Sequence, residues 1–292
     1  MRNRMSKKQE GQTSIEFRYL SRFSKGVVYF VLILCAVCVL YPLFWLLSAS
    51  LKSPMDLAVN VWGLPKKIVF QNYIDAWQVG KMGHYILNSV KVALVSIATT
   101  LICSSMLAFI LARLRFKGRS IIYYGILLGL MIPIHAIIIP LYITTRDLGL
   151  HNNLYCIGLV YAAFQIPFSV FVLRGFMAGI PASLEEAAIL DGCGVIRVFL
   201  YIILPLTKEG LITIAILTLM SAWNELLVAM LLISNVSLKT LPLGLIGFIT
   251  EYASKYAELC AGLIIACLPN ILFYAVCQEK MIKGMTMGAV KE

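Results

Sequence analysis

Charged and amide side chains are sparse in this sequence, and two places concentrate those whose types and spacing could do chemistry. Between residues 185 and 197, two glutamates, an aspartate and an arginine stand among alanines and long apolar side chains. Further along, Asn224 and Glu225 interrupt an otherwise apolar run. Acids and bases at such places suit docking on a partner surface or the lining of a polar path, and which of these applies depends on the elements that position them.

The composition is that of a membrane protein. The chain has 292 residues, of which 60% are hydrophobic and 13% charged, and its mean hydropathy is +0.87. Soluble domains carry roughly 25% charged residues, and about 20 apolar residues in a helix cross a hydrocarbon core. We therefore predict an all-α polytopic membrane protein with six transmembrane helices. These spans are predicted at about 27–51, 86–112, 120–145, 154–176, 210–233 and 258–278.

The N-terminal 25 residues differ from the rest because they are polar and basic. Their segment "IEFRYLSRF" (15–23) mixes aromatic and basic residues, which is typical of a stretch at the membrane interface. The apolar run from Val27 to Leu47 is longer than the roughly 7–15 residues of a signal-peptide core, so we expect it to be retained as a helix. The sequence thus predicts a basic tail with an interfacial segment (1–25) and one transmembrane domain (26–292).

Lysine and arginine are unevenly distributed over the two sides of a six-span topology. Seventeen of the 25 lie in the two terminal tails, the loop 113–119 and the segment 174–209, seven lie on the other side, and Lys91 lies within a span. Because cytoplasmic loops carry the basic excess, both termini are predicted to be cytoplasmic. The net charge of +11 is explained by this topology, and we expect no nucleic-acid partner.

Neither the cysteine spacing nor a search for a phosphate-binding motif predicts a cofactor on this chain. "CAVC" (35–38) has C-x-x-C spacing but lies within an apolar run without polar neighbours, so we interpret these cysteines as small buried side chains. The pattern G-x-x-x-x-G-K-[ST] does not occur in the sequence. We expect the chain to bind neither ATP nor a metal and not to be an enzyme.

The charged segment 185–206 is too costly to be a seventh span. Each charged residue at a helix centre costs about 2.5–3.5 kcal/mol, so four of them cost roughly 10 kcal/mol. Ser183 and Glu186 have the spacing of a capping box, and Gly192 is the residue type that ends a helix. We therefore predict a short helix outside the bilayer core.

One face of this predicted helix suits a close contact. Leu184, Ala187, Ala188 and Asp191 fall on it by helical spacing, and the two alanines would let another surface approach. A short interfacial helix that only links two spans is the alternative.

The same segment resembles the EAA loop of binding-protein-dependent ABC importer permeases. In that family, a glycine follows the Glu-Ala-Ala group by four residues, and Ile-x-Leu-Pro follows the glycine by ten, as here. The matching residues are Glu186, Ala187, Ala188, Gly192, Ile202, Leu204 and Pro205. Further stretches extend the resemblance from about residue 26 to the end and indicate the maltose-type carbohydrate permeases. They are "MIP" and "IPLY" within 131–142, "WNE" (223–225), "TLPLGL" (240–245) and "KGMTMGAVKE" (283–292).

The resemblance implies a type I ABC importer fold with a cytoplasmic coupling helix, within 181–206, between the fourth and fifth spans. It implies a sibling permease subunit as partner, two cytosolic ATPase subunits that use ATP and Mg, and an extracellular sugar-binding protein. The location implied is the plasma membrane of a bacterium. Glu186 would be a polar docking contact, Ala187 and Ala188 the close-approach face and Gly192 the turn, with Glu185 and Asp191 in the same docking loop.

Three polar residues inside predicted spans are candidates for the substrate path. Asn224 and Glu225 lie in the fifth span, and His135 lies between Pro133 and Pro140 in the third. An ionisable group in a membrane is a functional hypothesis by default, and each proline removes a backbone hydrogen bond, so a kinked or broken helix is expected near His135. Hydrogen bonding between helices is the alternative role for each of the three. The sibling permease could also supply most of the sugar contacts.

The same residues leave three alternative functions to consider. An importer permease for a non-sugar polar solute would carry the same docking loop. An ion-coupled secondary transporter is expected to have paired repeat halves and several membrane-embedded acids, whereas Glu225 is the one clear acid and no halves repeat. A membrane scaffold or sensor would be expected to carry an appended soluble domain, and none is apparent.

Overall fold

A computed structural model describes residues 22–250 and 255–289, so the predicted basic tail and interfacial segment lie almost entirely outside the described residues. Every regular element in the described part is helical, which confirms the predicted all-α class. The α-helices are α1 (Arg22–Ser50), α2 (Pro54–Val59), α3 (Gln71–Gln78), α4 (Met82–Arg113), α5 (Arg119–Leu128), α6 (Ile134–Asp147), α7 (Leu154–Ala178), α8 (Ser183–Leu190), α9 (Val195–Val198), α10 (Leu204–Leu206), α11 (Lys208–Asn224), α12 (Leu227–Leu232), α13 (Leu241–Thr250) and α14 (Tyr256–Ala289). Short 3₁₀ turns occupy Gly129–Met131 and Val236–Leu238, and a π-helical turn occupies Phe199–Ile203.

The membrane crossings are of two kinds. Helices α1, α4, α7 and α14 are each long and apolar enough to span a bilayer alone. Two further stretches are long and apolar enough only when a bent pair of helices is taken together: Arg119–Met131 meets α6 at 98°, and Val195–Leu206 meets α11 at 74°. With each bent pair counted as one span, the described residues contain the predicted six.

The predicted break in the third span is confirmed, and only one of its two prolines makes it. Pro133 has extended backbone (φ −70°, ψ 133°) at the start of α6, and Ile132 before it is also extended, as a residue before proline prefers. Pro140 lies within α6. The break therefore belongs to Pro133.

The fifth span is not the single helix that the sequence predicts over 210–233. Helix α11 ends at Asn224, Glu225 is extended (φ −74°, ψ 127°), and α12 begins at Leu227. A hydropathy profile does not show this interruption because the residues on both sides are apolar. The physical reason for it is the Glu225 carboxylate, which binds backbone N–H groups of α12.

Helices α4 and α7 form the centre of the bundle. A Cβ atom on Gly158 of α7 would lie 2.8 Å from the Val95 Cβ and 3.0 Å from the Val92 carbonyl oxygen of α4, so glycine is what permits this close approach. Buried clusters follow α4 along its length, one around Val92 and Ile157 and another around Phe109 and Leu173. The second cluster supports the loop between α7 and α11.

The connection between α1 and α4 is held by a buried cation. Lys52 has no exposed surface, and its Nζ donates to the carbonyl oxygens of Asn60 (2.6 Å) and Val61 (3.1 Å). The Asn72 side chain donates to the carbonyl oxygens of Ser50 and Lys52, both at 2.8 Å. These bonds fix α2 and α3 on the end of the bundle.

Candidate docking surface and transmembrane path

The short helix predicted in the charged segment is present as α8, but it begins differently from the prediction. The backbone N–H groups of Glu185 and Glu186 both donate to the Ala182 carbonyl at 3.0 Å, and no side chain of the described residues caps the helix. Ser183 therefore already lies in the first turn, where its hydroxyl cannot act as the cap. The predicted capping box of Ser183 and Glu186 is wrong.

Glu185 faces its own chain. Its Oε1 lies 2.7 Å from Nε of Arg113 at the end of α4, and the two side chains are only 18% and 11% exposed. Arg113 also donates from Nη2 to the Ile180 carbonyl at 2.6 Å. Glu185, predicted as part of the docking loop, thus forms an intrachain ion pair that ties α8 to α4.

Ala188 also packs inward. It is 7% exposed and belongs to the cluster around Phe109, Leu173 and Val198. The prediction that Ala187 and Ala188 form one accessible face is therefore wrong for Ala188, because helical spacing alone does not say which side of a short helix meets the bundle. Ala187 is exposed.

The end of α8 agrees with the sequence. Asp191 is the last residue of the turn, and Gly192 has φ +81°, a backbone conformation that L side chains rarely adopt. The Cys193 N–H donates to the Ala188 carbonyl at 2.9 Å, which closes the turn. Gly192 ends the helix as predicted, and Asp191 is exposed beside it.

The Ile-x-Leu-Pro group follows the π-helical turn. The Leu204 N–H bonds to the Phe199 carbonyl, one residue further back than in an α-helix, which widens the chain just before Pro205. Ile202 and Leu204 are half-buried, and Pro205 is exposed. This group leads the chain back into α11.

A set of exposed side chains remains on the outer side of this segment. It combines one acid with large apolar groups, of which Leu190 is 89%, Tyr201 77% and Ile196 74% exposed. We call it the α8 surface, and it consists of Leu184, Glu186, Ala187, Leu190, Ile196 and Tyr201. Charge and apolar area together make it suitable for binding another protein.

The break in the fifth span is organised by the Glu225 carboxylate. Its Oε1 accepts from the Val228 N–H at 2.9 Å, and its Oε2 accepts from the Ala229 N–H at 3.4 Å. The Tyr161 hydroxyl on α7 donates to the same Oε2. Glu225 therefore caps α12 and ties it to α7, so the hydrogen-bonding alternative for this residue is present in the structure.

Glu225 also lines a cavity of about 260 Å³ between α4, α6, α7 and α11. Polar groups in the wall include Gln165, Ser221 and the hydroxyls of Ser96 and Thr218. Ser96 and Thr218 are 0% and 1% exposed, and neither hydroxyl has a hydrogen-bond partner in the part of the chain that the structure describes. These hydroxyls were not among the predicted path residues, because single Ser and Thr residues within spans give no sequence pattern.

The other two path candidates lie apart from this cavity lining. Asn224 is exposed on α11, where its Oδ1 accepts from Nδ2 of Asn270 at 3.1 Å and its Nδ2 donates to the Met220 carbonyl at 2.8 Å. His135 is exposed in the first turn of α6, and its neighbour Ile134 is the residue that lines the cavity. Of the three candidates, Glu225 alone lines this cavity.

Comparisons with known proteins agree with these features. Residues 104–279 match the family model of the binding-protein-dependent transport system inner membrane component. The probable ABC transporter permease protein YurM of Bacillus subtilis is 34% identical over 264 residues, which cover 90% of this chain and 88% of that one. The diacetylchitobiose uptake system permease protein NgcG of Streptomyces coelicolor is 32% identical over 263 residues, covering 89% and 87%.

Solved structures show the same fold. A chain of a bacterial ABC transporter involved in the import of the acidic polysaccharide alginate aligns with a TM-score of 0.78 and 29% identity, covering 89% of this chain and 98% of that chain. A bacterial alginate ABC transporter in complex with a periplasmic protein that holds an alginate pentasaccharide aligns with a TM-score of 0.63 at 14% identity, covering 88% and 96%. The family match includes the α8 surface, the π-helical turn and Glu225. This chain therefore belongs to the family of binding-protein-dependent transport system inner membrane components.

Proposed function

We propose that this chain is the permease subunit of an ATP-driven importer that carries a sugar or oligosaccharide delivered by an external binding protein. The observation that carries this proposal is the near full-length similarity to permeases of carbohydrate uptake systems. Besides the diacetylchitobiose permease, these include the probable starch degradation products permease AmyC of Thermoanaerobacterium thermosulfurigenes, 34% identical over 92% of this chain and 97% of that one. The location that follows is a bacterial cytoplasmic membrane with both termini inside the cell.

A sibling permease is the proposed partner within the membrane. Asn224 is exposed in a crossing helix and bonds to Asn270 on α14. Amide groups facing lipid are unfavourable, so such a pair belongs against a second protein or a water-filled path. A permease heterodimer with the path between its subunits provides both.

The proposed cytosolic partners are two ATPase subunits, which hold the ATP and Mg, and one of them is proposed to dock on the α8 surface of this chain. Glu186 supplies the charged contact, and the exposed apolar side chains around it supply the area. The ion pair of Glu185 with Arg113 and the burial of Ala188 hold this surface rigidly on the bundle. A push on α8 would therefore move α4 and α7 with it.

The hydroxyl-lined cavity and Asn224 are the proposed contributions of this chain to the sugar path. The hydroxyls of Ser96 and Thr218, which have no hydrogen-bond partner among the described residues, match the hydroxyl groups of an uncharged sugar, and Gln165 adds an amide. Glu225 holds the break that shapes this wall, and His135 is proposed to line the path beyond it.

The test is uptake by membrane vesicles that contain this chain and the products of adjacent transporter genes. Labelled mono- and oligosaccharides are offered outside with the binding protein, and ATP is enclosed. We expect at least one sugar to enter only with enclosed ATP and to keep entering when ionophores dissipate the ion gradients. Uptake that stops with the ionophores and ignores ATP would show an ion-coupled transporter and overturn the proposal.

A further inference from the structure

Three arginines meet around a cavity that the proposed transport function does not use. The cavity has a volume of about 590 Å³ and lies where α4 gives way to α5, with Arg115, Arg119 and Arg174 in its wall. Among the described residues, no acidic side chain lines it. Glu185 on the neighbouring α8 is already paired with Arg113, so the charge of the three arginines is not balanced within the cavity.

The arginines are held in place by contacts other than an ion pair. The Arg174 guanidinium carbon lies 4.2 Å from the centroid of the Tyr123 ring, and its Nε donates to the Leu111 carbonyl at 3.3 Å. Arg119 donates to the carbonyls of Leu114 at 3.3 Å and Ala112 at 3.4 Å. A guanidinium has five N–H donors, so most donors of both side chains remain available. Two arginines are thus prepositioned to bind an anion.

The start of helix α5 adds to the positive electrostatic potential that the arginines create. Helix α5 begins at Arg119, after Gly118 with φ +86°, and Ser120 in its first turn lines the cavity. N–H groups in a first helical turn lack partners within the helix and favour negative charge. The helix start therefore reinforces the preference that the arginines create.

The position of the cavity decides which anion it suits. Arg113 ends one membrane-crossing helix and Arg119 begins the next, so the cavity lies at the level of the lipid headgroups. An apolar stripe leads from it along α5, with Ile121 78%, Tyr124 65% and Leu128 61% exposed, at helical spacing. A free ion would use the arginines alone, whereas a phospholipid would use the arginines with its phosphate and the stripe with an acyl chain.

We propose that this cavity binds the headgroup of an anionic phospholipid, with the phosphodiester on Arg115, Arg119 and Arg174 and an acyl chain along the exposed face of α5. Basic cavities between crossing helices are suited to such headgroups. The bound lipid would brace the α4–α5 turn beside the Arg113–Glu185 pair.

The test is native mass spectrometry of the full-length chain, purified in detergent with the subunits that co-purify. Dimyristoyl phosphatidylglycerol is titrated against the wild type and Arg115→Gln, Arg119→Gln and Lys117→Gln variants. Lys117 is the matched control because it is exposed in the same loop but does not line the cavity. Dimyristoyl phosphatidylcholine, which has the same chains and no net charge, is the matched lipid, and inorganic phosphate is the soluble competitor.

We expect phosphatidylglycerol to bind in preference to phosphatidylcholine, and each arginine variant to weaken its binding at least about tenfold, the effect of losing a direct hydrogen bond to a charged group. Lys117→Gln is expected to stay within about twofold of wild type, since only nonspecific attraction is lost. Equal binding of the two lipids, equal losses at Lys117 and Arg115, or full displacement by millimolar phosphate would each overturn the proposal. Absence of bound lipid while the partner subunits remain attached would overturn it as well, because a protein partner would then cover the arginines.

Discussion

Nε of Arg113 lies 2.7 Å from Oε1 of Glu185, which joins the last turn of the central helix α4 to the first turn of α8. Both side chains are largely buried, so the pair is a structural link rather than a surface contact. Because of it, the two adjacent glutamates of α8 have different roles. Glu185 holds the helix, and Glu186 is exposed and can meet a partner.

Breaking that link should cost stability. Glu185→Ala leaves the Arg113 charge largely buried without its partner, and such a loss costs about 3 kcal/mol. We expect the melting temperature of the purified protein to fall by several degrees. The control is Arg146→Ala, since the Arg146–Asp147 pair is 58% and 59% exposed and such pairs contribute less than about 1 kcal/mol. Equal small changes in the two variants would contradict the structural role of Glu185.

Glu186→Lys should separate docking from folding. The side chain is exposed, so the melting temperature is expected to stay near wild type. Reversal of the charge on the α8 surface is expected to abolish co-purification of the ATPase and uptake. Asp147→Lys makes the same charge change on an exposed residue at the end of α6 and should leave both intact. Normal recovery of the ATPase with Glu186→Lys would remove the docking assignment.

Gly192 and Gly194 give a matched pair for the turn after α8. A Cβ atom added at either position would meet no heavy atom of the described residues within 4 Å, so space does not distinguish them. Gly192 has φ +81°, whereas Gly194 is extended at φ −74°. Gly192→Ala should therefore cost about 1–2 kcal/mol and weaken ATPase association, while Gly194→Ala should be neutral. The measurements are the melting temperature and ATPase co-purification, and equal effects would exclude backbone conformation as the cause.

Glu225 and Asn224 should respond differently to alanine. Glu225→Ala leaves the Val228 N–H and the Tyr161 hydroxyl without their acceptor, which costs about 1–3 kcal/mol for each group left buried and unpaired. We expect that variant to lose thermal stability and uptake together. Asn224→Ala removes an exposed amide and should lower uptake while the melting temperature is kept. If Glu225→Ala melts like wild type, its carboxylate does not organise the break.

The orientation of the chain is open to a direct test. A reporter enzyme fused after Lys239 should be active outside the cell, and one fused after Gly194 should be active inside, because the basic loops are expected in the cytoplasm. Alkaline phosphatase and green fluorescent protein report the two sides in complementary fashion. The opposite pattern would reverse the orientation and place the α8 surface outside the cell, where a cytosolic ATPase could not bind it.

The elements that hydropathy and sequence motifs could reveal were predicted, and those set by individual contacts were not. Six spans follow from the length of the apolar runs, and the break at Pro133 follows from a missing N–H. The end of α8 follows from the freedom of Gly192. All of these are local properties that a short window of sequence contains.

The direction of α8 is different in kind. Whether Ala188 or Ala187 meets the bundle depends on where Phe109 and Leu173 lie, and these are distant in the sequence. The break at Glu225 depends in the same way on Tyr161, a residue of another helix. Contacts between residues that are distant in the sequence determine both features, and a single sequence read alone does not reveal such contacts.

The buried Lys52 affects how another protein could bind at its end of the bundle. A loop clamped by an ammonium group and by Asn72 has already given up its conformational entropy during folding. A protein that lands on α2 and α3 therefore meets a preorganised platform, and association does not need to freeze a mobile segment. A preordered surface suits rapid, reversible binding of another protein, because little conformational entropy is lost on association or regained on dissociation.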